Sequence, residues 1–230
     1  MTEFLGNSLF FGVGVSLIAY EVGLLLRRKF ALAILNPLLI AICCVILFNK
    51  ALGIPYDDYY EGAQYLSYLL TPATVALAVP LYRQLSLLKT HWLAILCGLG
   101  AGIIAGGLGI LALSVLFGLD HHLYVTLLPK SVTTAIGMDL SRELGGVVAI
   151  TTAVIIVTGI LGNVIGDFIF SIFRIKHPIA KGLALGNSAH AIGTAKAMEL
   201  GEVEGAMSSL AIAVAGVLTV VSASVFAQFL

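Results

Sequence analysis

Apolar residues run in blocks of about twenty along this chain, and polar residues collect between them. The blocks cover about 6–26, 31–49, 64–82, 91–117, 146–173 and 206–229. About 20 helical residues cross the roughly 30 Å hydrocarbon core of a bilayer. Strand-like alternation is absent, so the blocks read as helices rather than as barrel strands. The predicted fold is an all-α polytopic membrane protein, one domain over residues 1–230, with about six full transmembrane helices plus broken or re-entrant half-helices. A polar loop, 50–63, holds Asp57, Asp58, Glu61 and the tyrosines 56, 59 and 60.

Two segments depart from the apolar pattern. Segment 123–143 contains Leu128-Pro129-Lys130-Ser131-Val132-Thr133-Thr134, and segment 182–200 contains Gly186-Asn187-Ser188-Ala189-His190-Ala191-Ile192-Gly193-Thr194. A lysine at membrane depth costs about 2.5–3.5 kcal/mol, so such residues usually mark a pathway or site. Proline suits the first turn of a helix. A half-helix starting at Pro129 would have Leu128 as its cap and therefore free N–H donors, which with Lys130 would attract an anion. Lys130 and Thr134 are spaced i, i+4 and would share a helical face, with Ser131 and Thr133 on neighbouring ones. The alternative for Lys130 is a side chain reaching to the membrane interface.

In the second segment Asn187, His190 and Thr194 recur at i, i+3, i+7, one polar helical stripe. Ala189, Gly193 and Ala197 recur at i, i+4, i+8, a small-residue surface for close packing. Gly186-Asn187-Ser188 is read as the break and cap of this helix, with Gly193 a second helix-break position. His190 would assist recognition or carry a coupled proton. The alternative is a histidine satisfied inside a packed interface.

A third break is expected at Pro72, where Thr71 would cap the following helix. The run Leu69 to Val79 echoes Leu128 to Ile136, with Pro72 aligned on Pro129. Paired interrupted segments point to a site built from broken helices. Chance likeness among small apolar residues is the competing account. Asn163 and Asp167 sit at i, i+4, and Asp167 is close enough in sequence to pair with Arg174; Lys196 and Glu199 are expected to pair at i, i+3.

Composition sharpens the class. The 230 residues are 60% hydrophobic and 10% charged, against about 25% charged in soluble domains. Net charge is zero, which gives no hint of nucleic acid. Eight of the twelve Lys and Arg residues (Arg27, Arg28, Lys29, Arg83, Lys89, Arg174, Lys176, Lys181) fit on one side, assigned as cytoplasmic. Segment 123–143 must then enter and leave on one face or be two half-helices. Cys43, Cys44 and Cys97 lie in apolar runs without metal-ligand spacing. No metal site, resident cofactor or enzymatic signature is expected; a coupling proton or sodium ion is left open.

The runs Leu69 to Tyr82, Leu128-Pro129-Lys130-Ser131-Val132-Thr133-Thr134, and Gly186 to Ala197 closely resemble the LrgB/CidB family over essentially the whole chain. The resemblance implies a multi-pass protein of the bacterial cytoplasmic (inner) membrane, acting beside a smaller LrgA-like membrane protein. It implies two functions. One is a holin/antiholin-like regulator of murein hydrolase export and autolysis. The other is a secondary transporter of small monocarboxylates such as pyruvate or glycolate. The expectation favoured here is the transporter, as a homodimer or higher oligomer. Lys130, Ser131, Thr133, Thr134, Asn187, His190 and Thr194 would bind the carboxylate substrate.

Overall fold

The computed structural model describes residues 10–30, 35–76 and 78–230. The start of the first apolar block and the side chains of Thr71, Thr74 and Pro80 lie outside the described residues. All regular structure among the described residues is helical. The chain packs as two compact units, 1–76 and 77–230.

The first unit holds α1 (Phe11–Phe30), α2 (Pro37–Leu52), α3 (Tyr56–Ser67) and α4 (Leu70–Ala76). Asn36 starts α2. Its Oδ1 accepts the N–H groups of Leu38 and Leu39, at 2.9 and 3.2 Å, and Pro37 occupies the first turn. Ala19 of α1 packs on Ala41 and Val45 of α2. The polar loop 50–63 is largely helix rather than loop, because Tyr56 to Ser67 form α3. A Cβ on Gly12 of α1 would run into the backbone of Tyr59 and Ala63 in α3. The Ser16 and Tyr59 hydroxyls meet at 2.7 Å.

The second unit begins with α5 (Ala78–Arg83) and α6 (Leu85–Phe117), followed by α7 (His121–Leu127) and α8 (Thr134–Glu143). Three longer helices complete it: α9 (Val148–Ile172), α10 (Pro178–Leu200) and α11 (Glu202–Phe226). Gly118 ends α6 with φ 62°, the left-handed position that glycine adopts without steric penalty. Asp120 then caps α7 through the Leu123 N–H at 2.8 Å. The core joins Ile95 and Leu99 of α6 to Leu183 of α10 and to Met207, Leu210 and Ala211 of α11. Apolar contact drives little helix association in lipid, so small residues that let backbones approach become decisive. Gly182 and Gly186 supply this on α10, where added Cβ atoms would enter the α11 backbone at Glu204 and Ser208.

Three described helices are long and apolar enough to cross a membrane: Lys89–Phe117, Val148–Ile172 and Glu202–Phe226. The expectation of about six full spans is therefore met only in part. The block 64–82 is split among α3, α4 and α5. α2, with 16 residues, reaches only about 24 Å. Segment 123–143 is two short helices, as one of its alternatives required, but its break runs from 128 to 133. In segment 182–200 the helix starts earlier, at Pro178, and breaks at His190 rather than at Gly186. Gly186 stays helical because its missing side chain is used for packing against α11.

Candidate functional site

The glycine-rich face of α6 closes only partly onto its neighbours: Gly102 meets the Asn187 side chain of α10. Gly98 and Gly106 have open space where a Cβ would lie. They line a cavity of about 770 Å³ within the second unit. Lys130 and Ser131 enter it from the connector between α7 and α8, and Asn187 and Ser188 from α10. Thr219, Ser222 and Phe226 of α11 form part of the remaining wall.

The connector is held by a buried polar network. The Thr151 hydroxyl of α9 donates to the Thr126 carbonyl at 2.8 Å and lies 2.7 Å from Ser141 Oγ of α8. The Thr126 hydroxyl accepts the Val147 N–H at 2.8 Å and donates to the His122 carbonyl at 2.7 Å. Tyr124 donates to the Phe226 carbonyl at 2.8 Å, tying α7 to α11. All three of Thr126, Ser141 and Thr151 are fully buried. Polar groups so deep need partners, and satisfied networks of this kind fix one geometry. Here they fix both ends of the stretch that carries Lys130.

Pro129 does not begin a half-helix. It lies in a turn that follows α7, where Lys130 N–H donates to the Leu127 carbonyl at 3.1 Å and Val132 N–H to the Pro129 carbonyl at 3.2 Å. The next helix starts five residues later, at Thr134, with Thr133 as its cap residue and no side-chain cap bond. The shared helical face of Lys130 and Thr134 is therefore not formed. The Lys130 ammonium donates to Ser131 Oγ at 2.8 Å and has no ion pair among the described residues.

The expected stripe Asn187/His190/Thr194 is divided by the break in α10. Asn187 faces the cavity. Its amide nitrogen donates to the Leu99 carbonyl at 3.4 Å, while its buried Oδ1 has no partner. His190 points away, into the protein. It has φ 42°, a backbone region that penalises a side chain by about 1–3 kcal/mol. Its ring Nε2 lies 3.0 Å from the Ile155 carbonyl, in the space that Gly159 leaves open. Thr194 donates to the His190 carbonyl at 3.0 Å and accepts from Ser208 of α11, 2.7 Å away. His190 and Thr194 thus hold the break together, whereas Lys130, Ser131 and Asn187 meet in one cavity. Thr133 and Thr134 are not among the cavity-lining residues.

Beyond the break, Lys196 is only 13% exposed and lies 2.7 Å from Asp167 of α9 and 3.9 Å from Glu199. Asp167 is close enough in sequence to pair with Arg174, but it pairs with Lys196 because the second half of α10 packs against α9. Asn163 adds a bond from its amide nitrogen to the Ile192 carbonyl at 3.2 Å. The sequence reading missed two features: the Gly182/Gly186 packing pair and the Thr126/Ser141/Thr151 network. The i, i+4 spacing of Gly182 and Gly186 was a usable signal. Nothing local joined Thr126 to Thr151.

An ammonium, several hydroxyls, the imidazoles of His91 and His177 and one unpartnered amide oxygen, set in a largely apolar wall, form a chamber able to hold a small polar molecule with a negative charge. Three backbone breaks lie beside it, at His91 within α6, at 128–133 and at His190. No solved structure matches the chain. The sequence profile of the LrgB-like family matches residues 16–229. The antiholin-like protein LrgB of Bacillus cereus (strain B4264) is 40% identical over 222 residues, covering 96% of each chain. The protein of the same name from Bacillus anthracis (strain CDC 684 / NRRL 3495) shows the same identity and coverage. Matches of that extent make this chain a member of the LrgB-like family.

Proposed function

We propose that this protein is an antiholin-like regulator of the bacterial cytoplasmic membrane, restraining murein hydrolase export and autolysis. The observation that carries the reading is the 40% identity to proteins named antiholin-like, over 96% of the chain. Its long apolar helices support a membrane setting. The reading involves multiple membrane passes, no catalysis, and assembly with further copies and a smaller LrgA-like partner. The test is expression with such a partner in a bacterium lacking its own LrgB. Extracellular murein hydrolase activity and detergent-induced lysis should both fall; unchanged values would reject the reading.

The cavity favours a second reading, a secondary transporter of small monocarboxylates. Lys130 would balance the carboxylate charge, and Ser131 and Asn187 would bond its polar atoms. Helix breaks beside a central cavity are the usual setting of such sites. In liposomes containing the protein and its partner, labelled pyruvate or glycolate should enter saturably. Absence of flux for every small carboxylate tried would leave the regulatory reading alone.

A further inference from the structure

Between α9 and α10 the chain reverses, and the reversal gathers three cations around a second pocket. The Ile175 N–H donates to the Phe170 carbonyl at 2.8 Å, and the Arg174 N–H to the Ser171 carbonyl at 3.2 Å. This is the pairing of a Schellman turn, whose left-handed position usually carries glycine. Here it carries Arg174, with φ 54°, despite the steric penalty on any side chain. Arg174, Lys176 and Lys181 line a pocket of about 300 Å³ with Asp167, Phe170 and Ser171. The Lys181 ammonium sits 5.8 Å from the centre of the Phe170 ring. Asp167 is already matched by Lys196 at 2.7 Å. None of the three cations has an ion pair among the described residues.

Helix electrostatics accounts for part of this cluster only. Cations beyond the C-terminus of α9 are favourable there, but Lys181 lies in the first turn of α10, where a cation is disfavoured. Three like charges around one pocket call for an anion. The rest of this end of the helix then says what kind. Phe168 and Ile172 of α9 and Phe173 just after it are 65%, 55% and 69% exposed, at the end of a helix apolar enough to cross a membrane. A free phosphate would use the cations and leave that apolar flank uncovered. A phospholipid would use both. We propose that this pocket binds the phosphate headgroup of an anionic phospholipid, whose acyl chains lie along the exposed apolar end of α9.

The test is native mass spectrometry of the purified full chain in detergent, titrated with phosphatidylglycerol, phosphatidylcholine or inorganic phosphate. Saturable binding of phosphatidylglycerol in preference to phosphatidylcholine is expected. Arg174→Gly removes the charge but suits the left-handed turn, so its melting temperature in zwitterionic detergent should be no lower than that of the wild type. It should nevertheless weaken phosphatidylglycerol binding about fivefold, the effect of one cation near an anionic surface. Lys181→Gln should do the same, and Lys181→Arg should retain binding. The proposal fails if phosphatidylcholine binds equally well, or if Arg174→Gly and Lys181→Gln both leave the affinity unchanged. It also fails if inorganic phosphate competes at concentrations equal to the lipid, which would assign a free-anion site.

Discussion

The Lys130 ammonium has three hydrogens to donate, and among the described residues one of them is accepted, at Ser131 Oγ. The other two are available to a guest in the cavity. Hydrogen bonds to charged groups contribute about 1.5–3 kcal/mol each. Lys130→Gln should therefore weaken binding of a small carboxylate about 10- to 100-fold in a flux or binding assay, with the melting temperature little changed. An equal apparent affinity in the variant would remove Lys130 from the site. Gly102 tests the space rather than the charge. A Cβ at Gly102 would meet the Asn187 amide nitrogen, so Gly102→Val should displace that amide and fill part of the cavity. On the transporter reading, saturable uptake should fall while the protein still assembles; full uptake by a well-folded variant would show that the cavity is not the route.

At the scale of elements, the connector 128–133 and the α10–α11 pair are held by different devices. The connector 128–133 depends on Thr151, which links Thr126 of α7 to Ser141 of α8. Thr151→Val keeps the shape but leaves buried groups unpaired, at about 1–3 kcal/mol. A lower melting temperature is expected, measured by thermal unfolding in detergent; no change would mean that the network does not hold the connector. The α10–α11 contact depends on glycine. At Gly186 a Cβ would enter Ser208 and come within 2.7 Å of Ala211 Cβ. Gly186→Val should destabilise by about 1–3 kcal/mol through overpacking, whereas Gly106→Ala, facing open space, should be tolerated. The sequence made the long elements legible: blocks 91–117, 146–173 and 206–229 lie close to α6, α9 and α11, since length and apolarity alone determine a spanning helix. The breaks were less legible. Proline at position 129 reads equally as the start of a helix or as a turn after one, and the hydrogen bonds around it select the turn. The break at His190 carries no local signal, because a histidine with positive φ depends on its distant partner Ile155. Gly186 reads as a breaker, yet its neighbour across α11 keeps it helical. Of the candidate site, the membrane cost of Lys130 and Asn187 pointed to the cavity, while the helical stripe that placed His190 and Thr194 beside them assumed an unbroken helix.

For the whole molecule, the family fixes the relationship and the exposed apolar surface fits a lipid setting. Leu116, Phe117, Val217 and Val221 are among the large apolar side chains left exposed on α6 and α11, as expected where lipid or another subunit is the neighbour. The antiholin-like reading and the cavity need not be separate. A guest that binds beside these backbone breaks would favour one arrangement of them only by its difference in affinity between arrangements. The most direct measurement is extracellular murein hydrolase activity, by zymography, in a bacterium lacking its own LrgB and supplied with this chain and an LrgA-like partner. Lower hydrolase activity and slower autolysis than in the empty-vector strain are expected. Activity and lysis equal to the empty-vector strain, with the protein present in the membrane, would contradict the account.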